Sequence, residues 1–117
     1  MEIKFSDEKI RQIVSTKVFQ KDHGPKAYKA LQNLLLKLKA ADSMQVFWPP
    51  YSKKERCHEL ENKKHRDMRN HLCLTILEGL RLIVLPEQEW INSDPSMRTW
   101  AEISSVTIVY AGDYHDD

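Results

Sequence analysis

Leu72-Cys73-Leu74-Thr75-Ile76-Leu77-Glu78-Gly79-Leu80-Arg81-Leu82-Ile83-Val84-Leu85 is the stretch on which the fold turns. Leu72, Leu74 and Ile76 alternate with His71, Cys73 and Thr75, the period of a strand whose two faces meet different surroundings. Glu78-Gly79 suits a tight hairpin turn, since glycine takes the positive φ such turns need. Residues 80–85 then form the returning strand. Arg81 stands out in it, because Leu80, Leu82, Ile83, Val84 and Leu85 surround it. A permanent charge in an apolar run needs a partner or a ligand. A glutamate on the same face would make it a structural ion pair. A phosphate would make it functional, since guanidinium suits the spread charge of a phosphorane.

Working outward, Glu2-Ile3-Lys4-Phe5 alternates and reads as a short strand, and Ser6 or Asp7 can cap a following helix. That helix would place Ile10, Ile13, Val14 and Val18 on one stripe. Gly24 breaks it, and Pro25 opens a second helix with Ala27, Tyr28, Leu31, Leu34, Leu35, Leu38 and Ala41 at helical spacing. The pair reads as an antiparallel helical hairpin over residues 8–41. Phe47-Trp48-Pro49-Pro50-Tyr51-Ser52 is irregular, because its prolines forbid regular structure. Residues 86–95 read as a loop containing Trp90, and Trp100 to Ile103 leads into a last strand, Val106 to Gly112. The expected architecture is α+β: an N-terminal strand and a helical hairpin packed on one face of a small, mainly antiparallel sheet, with the other face partly open.

The 117 residues fit one domain spanning 1–117. Apolar residues make up 41% and charged residues 30%, so a soluble globular chain is expected. Met1-Glu2-Ile3-Lys4 turns polar again by Ser6, so no signal peptide is expected, nor any membrane association, since no apolar run nears spanning length. Cys57 and Cys73 make no disulfide framework, and a cytoplasmic location fits. The net charge of +1 hides an asymmetry. Residues 1–69 hold 16 Lys+Arg against 9 Asp+Glu, a balance of +7, and residues 70–117 hold 2 against 8, a balance of −6. Such a split suits a polyanion on one face, or ordinary solvated helix faces.

The final strand delivers Asp113, Tyr114 and His115: an acid, a phenol and an imidazole. With Arg81 and His58 they supply what metal-free RNA cleavage needs, a general base, a general acid and a cation for the phosphorane. His115 is the first candidate, because a neutral imidazole exchanges protons near physiological pH; the alternative is a frayed terminal histidine. Asp113 could orient His115 or hold a nucleobase edge, and Tyr114 could stack on a base, donate to phosphate, or pack at the rim. Lys63, Lys64, His65, Arg66 and Arg69 fit a patch that tracks an RNA backbone, although each alone reads as a solvated charge. Cys57, His58, His65 and His71 match no standard zinc spacing, so no metal and no cofactor are expected. With 3 glycines the chain has no room for a phosphate loop or a dinucleotide fingerprint.

In Cys57-His58-Glu59-Leu60, Gly79-Leu80-Arg81-Leu82-Ile83, Trp100 leading to Val106-Thr107-Ile108, and Asp113-Tyr114-His115, the chain resembles the RelE/ParE superfamily of bacterial toxins, within it the HigB-like plasmid maintenance killer group. The likeness covers nearly the whole chain, and the order and spacing of the motifs carry it. It implies the toxin of a type II toxin–antitoxin system: a metal-free endoribonuclease, or mRNA interferase, that cuts mRNA on the ribosome. It also implies a HigA-like helix-turn-helix antitoxin as partner. His58 falls on the family's histidine before the middle strand, as a second acid/base or a phosphate ligand. The chain departs from the pattern between Leu60 and Asp67, where a few extra residues leave the family's lysine matched by either Lys63 or Lys64. Two alternatives stay open: a non-nucleolytic toxin of the same fold that poisons gyrase, and an inactive antitoxin-binding relic. The acidic C-terminal half, through Glu87 and Glu89, is where a basic antitoxin segment would lie.

Overall fold

The computed structural model describes residues 1–48, 54–60 and 68–114. The chain forms β1 (Glu2–Phe5), α1 (Glu8–Ser15), α2 (Val18–His23), α3 (Pro25–Ala40), β2 (His58–Glu59), β3 (Leu72–Leu77), β4 (Leu80–Pro86), α4 (Gln88–Asn92) and β5 (Ser105–Asp113). The five strands make one mixed sheet in the order β1-β5-β4-β3-β2. β1 pairs with β5 in parallel and the other neighbours are antiparallel. The architecture is α+β, with helices on one face of the sheet.

The expected hairpin of strands forms as β3 and β4, joined at Gly79, whose φ of +81° meets the demand of the turn. Asp7 caps α1, accepting from the Ile10 amide at 2.9 Å. The first arm of the helical hairpin differs from expectation, because it is two helices rather than one. Thr16 takes an extended conformation, with φ −123° and ψ −179°, while its hydroxyl donates to the Gln12 carbonyl. This resets the helical phase, so Val18 turns outward at 41% exposed and Phe19 fills the core in its place. Gly24, at φ +93°, separates α2 from α3, and Pro25 occupies the first turn of α3.

The main core forms between the helices and one face of the sheet. Leu31, Leu34, Leu35 and Leu38 of α3 meet Leu72, Leu74 and Ile76 of β3, Leu82 and Val84 of β4, and Val106 and Ile108 of β5. On the other face a smaller cluster joins Leu60, Met68, Cys73, Ile83 and Tyr114. Strand alternation thus divides the sheet as the sequence indicates. Two irregularities interrupt the ladders and re-aim the side chains beside them. The β3–β4 register shifts between Thr75 and Leu77, and the β4–β5 register shifts between Ile83 and Val84.

Residues 86–95 are not the expected loop. Pro86 ends β4, and Gln88–Asn92 forms a short helix that buries Trp90. β2 is a further element beyond the expected strands. Among the described residues no helix is long and apolar enough to cross a membrane.

Candidate functional site

The second, thinly covered face of the sheet gathers the chemistry. Cross-strand partners share a face, and Arg81 stands opposite Thr75 on β3 and Gly112 on β5. Arg81 is half-buried, and its Nη1 donates to the carbonyls of Leu77 at 3.2 Å and Leu80 at 3.1 Å. The bulge after Thr75 brings the Leu77 carbonyl within reach. Among the described residues no carboxylate pairs with Arg81, so the structural ion pair is not what holds it. Among the described residues nothing bonds Nε or Nη2. Gly112 stands beside Arg81 with φ +153°, and the Tyr110 hydroxyl fills the place of a side chain there, 3.1 Å from where a Cβ would lie. That hydroxyl donates to the Asp113 carbonyl, which lays the Tyr110 ring along the strand end.

His58 shares this face, since it pairs with Cys73, which in turn pairs with Ile83. Its side chain is exposed, and Nδ1 lies 2.9 Å from the Arg56 carbonyl. A carbonyl only accepts, so in the neutral ring the proton sits on Nδ1 and the lone pair on Nε2. Two strand spacings and two residues along the sheet separate the Cα atoms of His58 and Arg81, roughly 12 Å. Extended side chains from both positions can reach one phosphate.

Asp113 and Tyr114 divide between the two faces. Asp113 is exposed and pairs with Leu80, so the register sets it on the helix side, away from Arg81 and Thr75. Asp113 therefore does not join Arg81 and Thr75 on the open face. Tyr114 does lie on the Arg81 face, but at 6% exposed it is packed among Leu60, Met68, Cys73 and Ile83, with its ring centroid 6.2 Å from that of Tyr110. Its ring is taken up by packing and is not open to stack on a base. Arg69 is exposed at the start of the turn before β3. His115, Lys63, Lys64, His65 and Arg66 lie outside the described residues.

Cys57 points to the opposite face and joins the main core. Burial pushes its thiol well above the ordinary range, helped by the nearby Cys73 and Glu55. The Glu87 carboxylate is tied to its own chain, accepting from the backbone amides of Ser104 at 2.6 Å and Ser105 at 3.3 Å. Glu89 stays exposed.

Two groupings escape a reading of the sequence. At the outer edge of β3, Lys26, Lys29 and Lys37 of α3 meet Lys54 around a cleft of about 290 Å³ that reaches Thr75, the cross-strand neighbour of Arg81. Helical spacing (26, 29, 37) was the available signal. The second is Arg98, whose side chain is 8% exposed. It stacks 3.9 Å over Trp90 and donates to the carbonyls of Trp90 and Ile91 and to Asn70. Apart from Arg81 it is the sole cation after residue 69, which marks it out in an acidic segment.

No family model matches the chain, and neither a curated protein nor a solved structure does.

Proposed function

We propose that the chain is a RelE/ParE-type toxin of the HigB-like kind: a metal-free endoribonuclease that cuts mRNA on the ribosome and is neutralised by a HigA-like helix-turn-helix antitoxin. The observation that carries this reading is Arg81. It is a half-buried guanidinium in an apolar strand, held by two carbonyls through one nitrogen, with His58 on the same face. A cation placed so can receive a phosphate by its remaining donors.

In the proposed reaction one imidazole removes the proton from a ribose 2′-hydroxyl. The freed oxygen attacks the adjacent phosphorus. Arg81 offsets the charge that builds on the non-bridging oxygens, and a second imidazole gives its proton to the departing 5′-oxygen. The products are a 2′,3′-cyclic phosphate and a 5′-hydroxyl. His115 and His58 divide the base and acid roles. Lys26, Lys29 and Lys54 of the α3–β3 cleft, next to Thr75, extend the positive surface along which an RNA backbone would run, while Lys37 is paired with Glu55.

The test is cleavage of a translated mRNA by the purified chain, with growth arrest on induction as the cellular readout. Arg81→Gln should lower cleavage about 100- to 1000-fold, and His115→Ala should abolish growth arrest. Undiminished toxicity in both variants would remove the assignment. Rapid DNA-damage signalling in place of mRNA loss would favour the gyrase reading.

A further inference from the structure

All 3 tryptophans of the chain, far apart in sequence, line a single cleft. Trp48, Trp90 and Trp100 enclose it together with Gln45, Glu59 and Arg98, over a volume of about 430 Å³. It lies on the helix side of β2, since Glu59 pairs with Leu72 of the main core, and it is separate from the face that carries Arg81 and His58. We infer that this cleft binds a guanine base.

The lining dictates the ligand. Trp90 is fixed: its indole nitrogen donates to the Thr99 carbonyl at 2.8 Å, and Arg98 covers one of its faces. Trp100 is buried and meets Trp48 edge-on, with ring centroids 4.7 Å apart and an interplanar angle of 86°. Trp48 itself is 43% exposed and offers a large apolar ring at the mouth. A planar, apolar ligand gains most from such a surface, because stacking on an open indole removes area from water on both partners.

The polar groups narrow the choice. Glu59 is 43% exposed and meets Arg98 at 3.5 Å, a long contact among the described residues that leaves its carboxylate accepting capacity toward the cleft. A carboxylate is best met by two adjacent N–H donors. Guanine presents them on its Watson–Crick edge, at N1 and N2. Adenine and cytosine set a ring acceptor beside their single amine, which a carboxylate repels. Uracil has one N–H flanked by two carbonyls. A guanidinium also carries two donors, but the fixed charge of Arg98 at the cleft wall opposes a second cation. Guanine is neutral, planar and small enough for the volume.

The same chemistry serves a free guanine nucleotide or a guanine within an RNA strand, and two probes separate them. The full chain is titrated with GMP and with a short oligonucleotide carrying one guanine, following tryptophan fluorescence and calorimetry. Tighter binding of the oligonucleotide assigns the site to RNA, and tighter binding of GMP to the free nucleotide. GMP should quench the fluorescence saturably. IMP, lacking the N2 amine, should bind about 10-fold more weakly, and AMP and UMP weaker still. Glu59→Gln should lower GMP affinity about 10- to 100-fold, and Trp48→Leu about 5- to 100-fold. Should Glu59→Gln unfold because Arg98 loses its partner, the comparison of nucleotides on the unaltered chain decides. The inference fails if GMP gives no saturable quenching at millimolar concentration, if AMP binds as tightly as GMP, or if folded Glu59→Gln retains full affinity.

Discussion

Replacing each arginine of the acidic C-terminal region by methionine should separate a structural cation from a functional one. Methionine keeps most of the stem and removes the charge and donors. Arg98, with a side chain 8% exposed, donates to Trp90 O at 3.3 Å, Ile91 O at 2.9 Å and Asn70 Oδ1 at 2.8 Å, and lies 3.5 Å from Glu59. Two of those acceptors are carbonyls near the end of α4, which would lose a capping donor. A hydrogen bond to a charged group contributes about 1.5–3 kcal/mol, non-additively, and half-exposed Glu59 re-hydrates at little cost; Arg98→Met should therefore cost about 3 kcal/mol. At about 2.1 cal/mol/K per residue, that is a fall in Tm of roughly 12 °C. Among the described residues Arg81 makes two hydrogen bonds, through one nitrogen, at 3.1 and 3.2 Å, and it is half-buried. Arg81→Met should cost about 0.5 kcal/mol, roughly 2 °C, because water can replace it at the two carbonyls. Urea unfolding and thermal melts followed by circular dichroism measure both. Equal losses for the two variants would refute the division, and so would a loss above about 2 kcal/mol for Arg81→Met.

Two more outcomes rest on local geometry. Gly112→Ala should destabilise by about 1–3 kcal/mol, because φ is +153° and the new Cβ would lie 3.1 Å from the Tyr110 hydroxyl; Tyr110→Leu should relieve the steric part and leave the backbone part. The thiol of Cys57 has its pKa raised in the folded state, so its stabilising effect is complete below the unfolded value near about 8.5 and declines as pH rises above it, by about 1.4 kcal/mol per pH unit. Urea midpoints measured into the alkaline range should fall less steeply for Cys57→Ala.

The strand periods were legible from residue 72 to 85, and so were the caps at Asp7, Gly24 and Pro25, because each rests on local alternation or local backbone demand. The break at Thr16 was not. Ile10, Ile13, Val14 and Val18 continue one apolar stripe, and the extended backbone of Thr16, whose amide and hydroxyl both donate to the Gln12 carbonyl, interrupts it. The short helix over Gln88–Asn92 was hidden for a related reason. It has no side-chain cap, and its stability comes from burying Trp90 and from Arg98 reaching its last carbonyls.

The sequence by itself determined that Arg81 stands alone in an apolar strand, that the sheet has two unlike faces, and that the cations concentrate before residue 70. Those are properties of neighbours along the chain. Tertiary structure alone decided which side each group takes: His58 with Arg81, Asp113 with Leu80, and three distant tryptophans around one cleft with Glu59. The physical reason is register. Moving a strand pairing by one residue exchanges its faces, and that register is fixed by packing across the sheet and by bulges at Thr75 and Ile83, which local sequence does not encode.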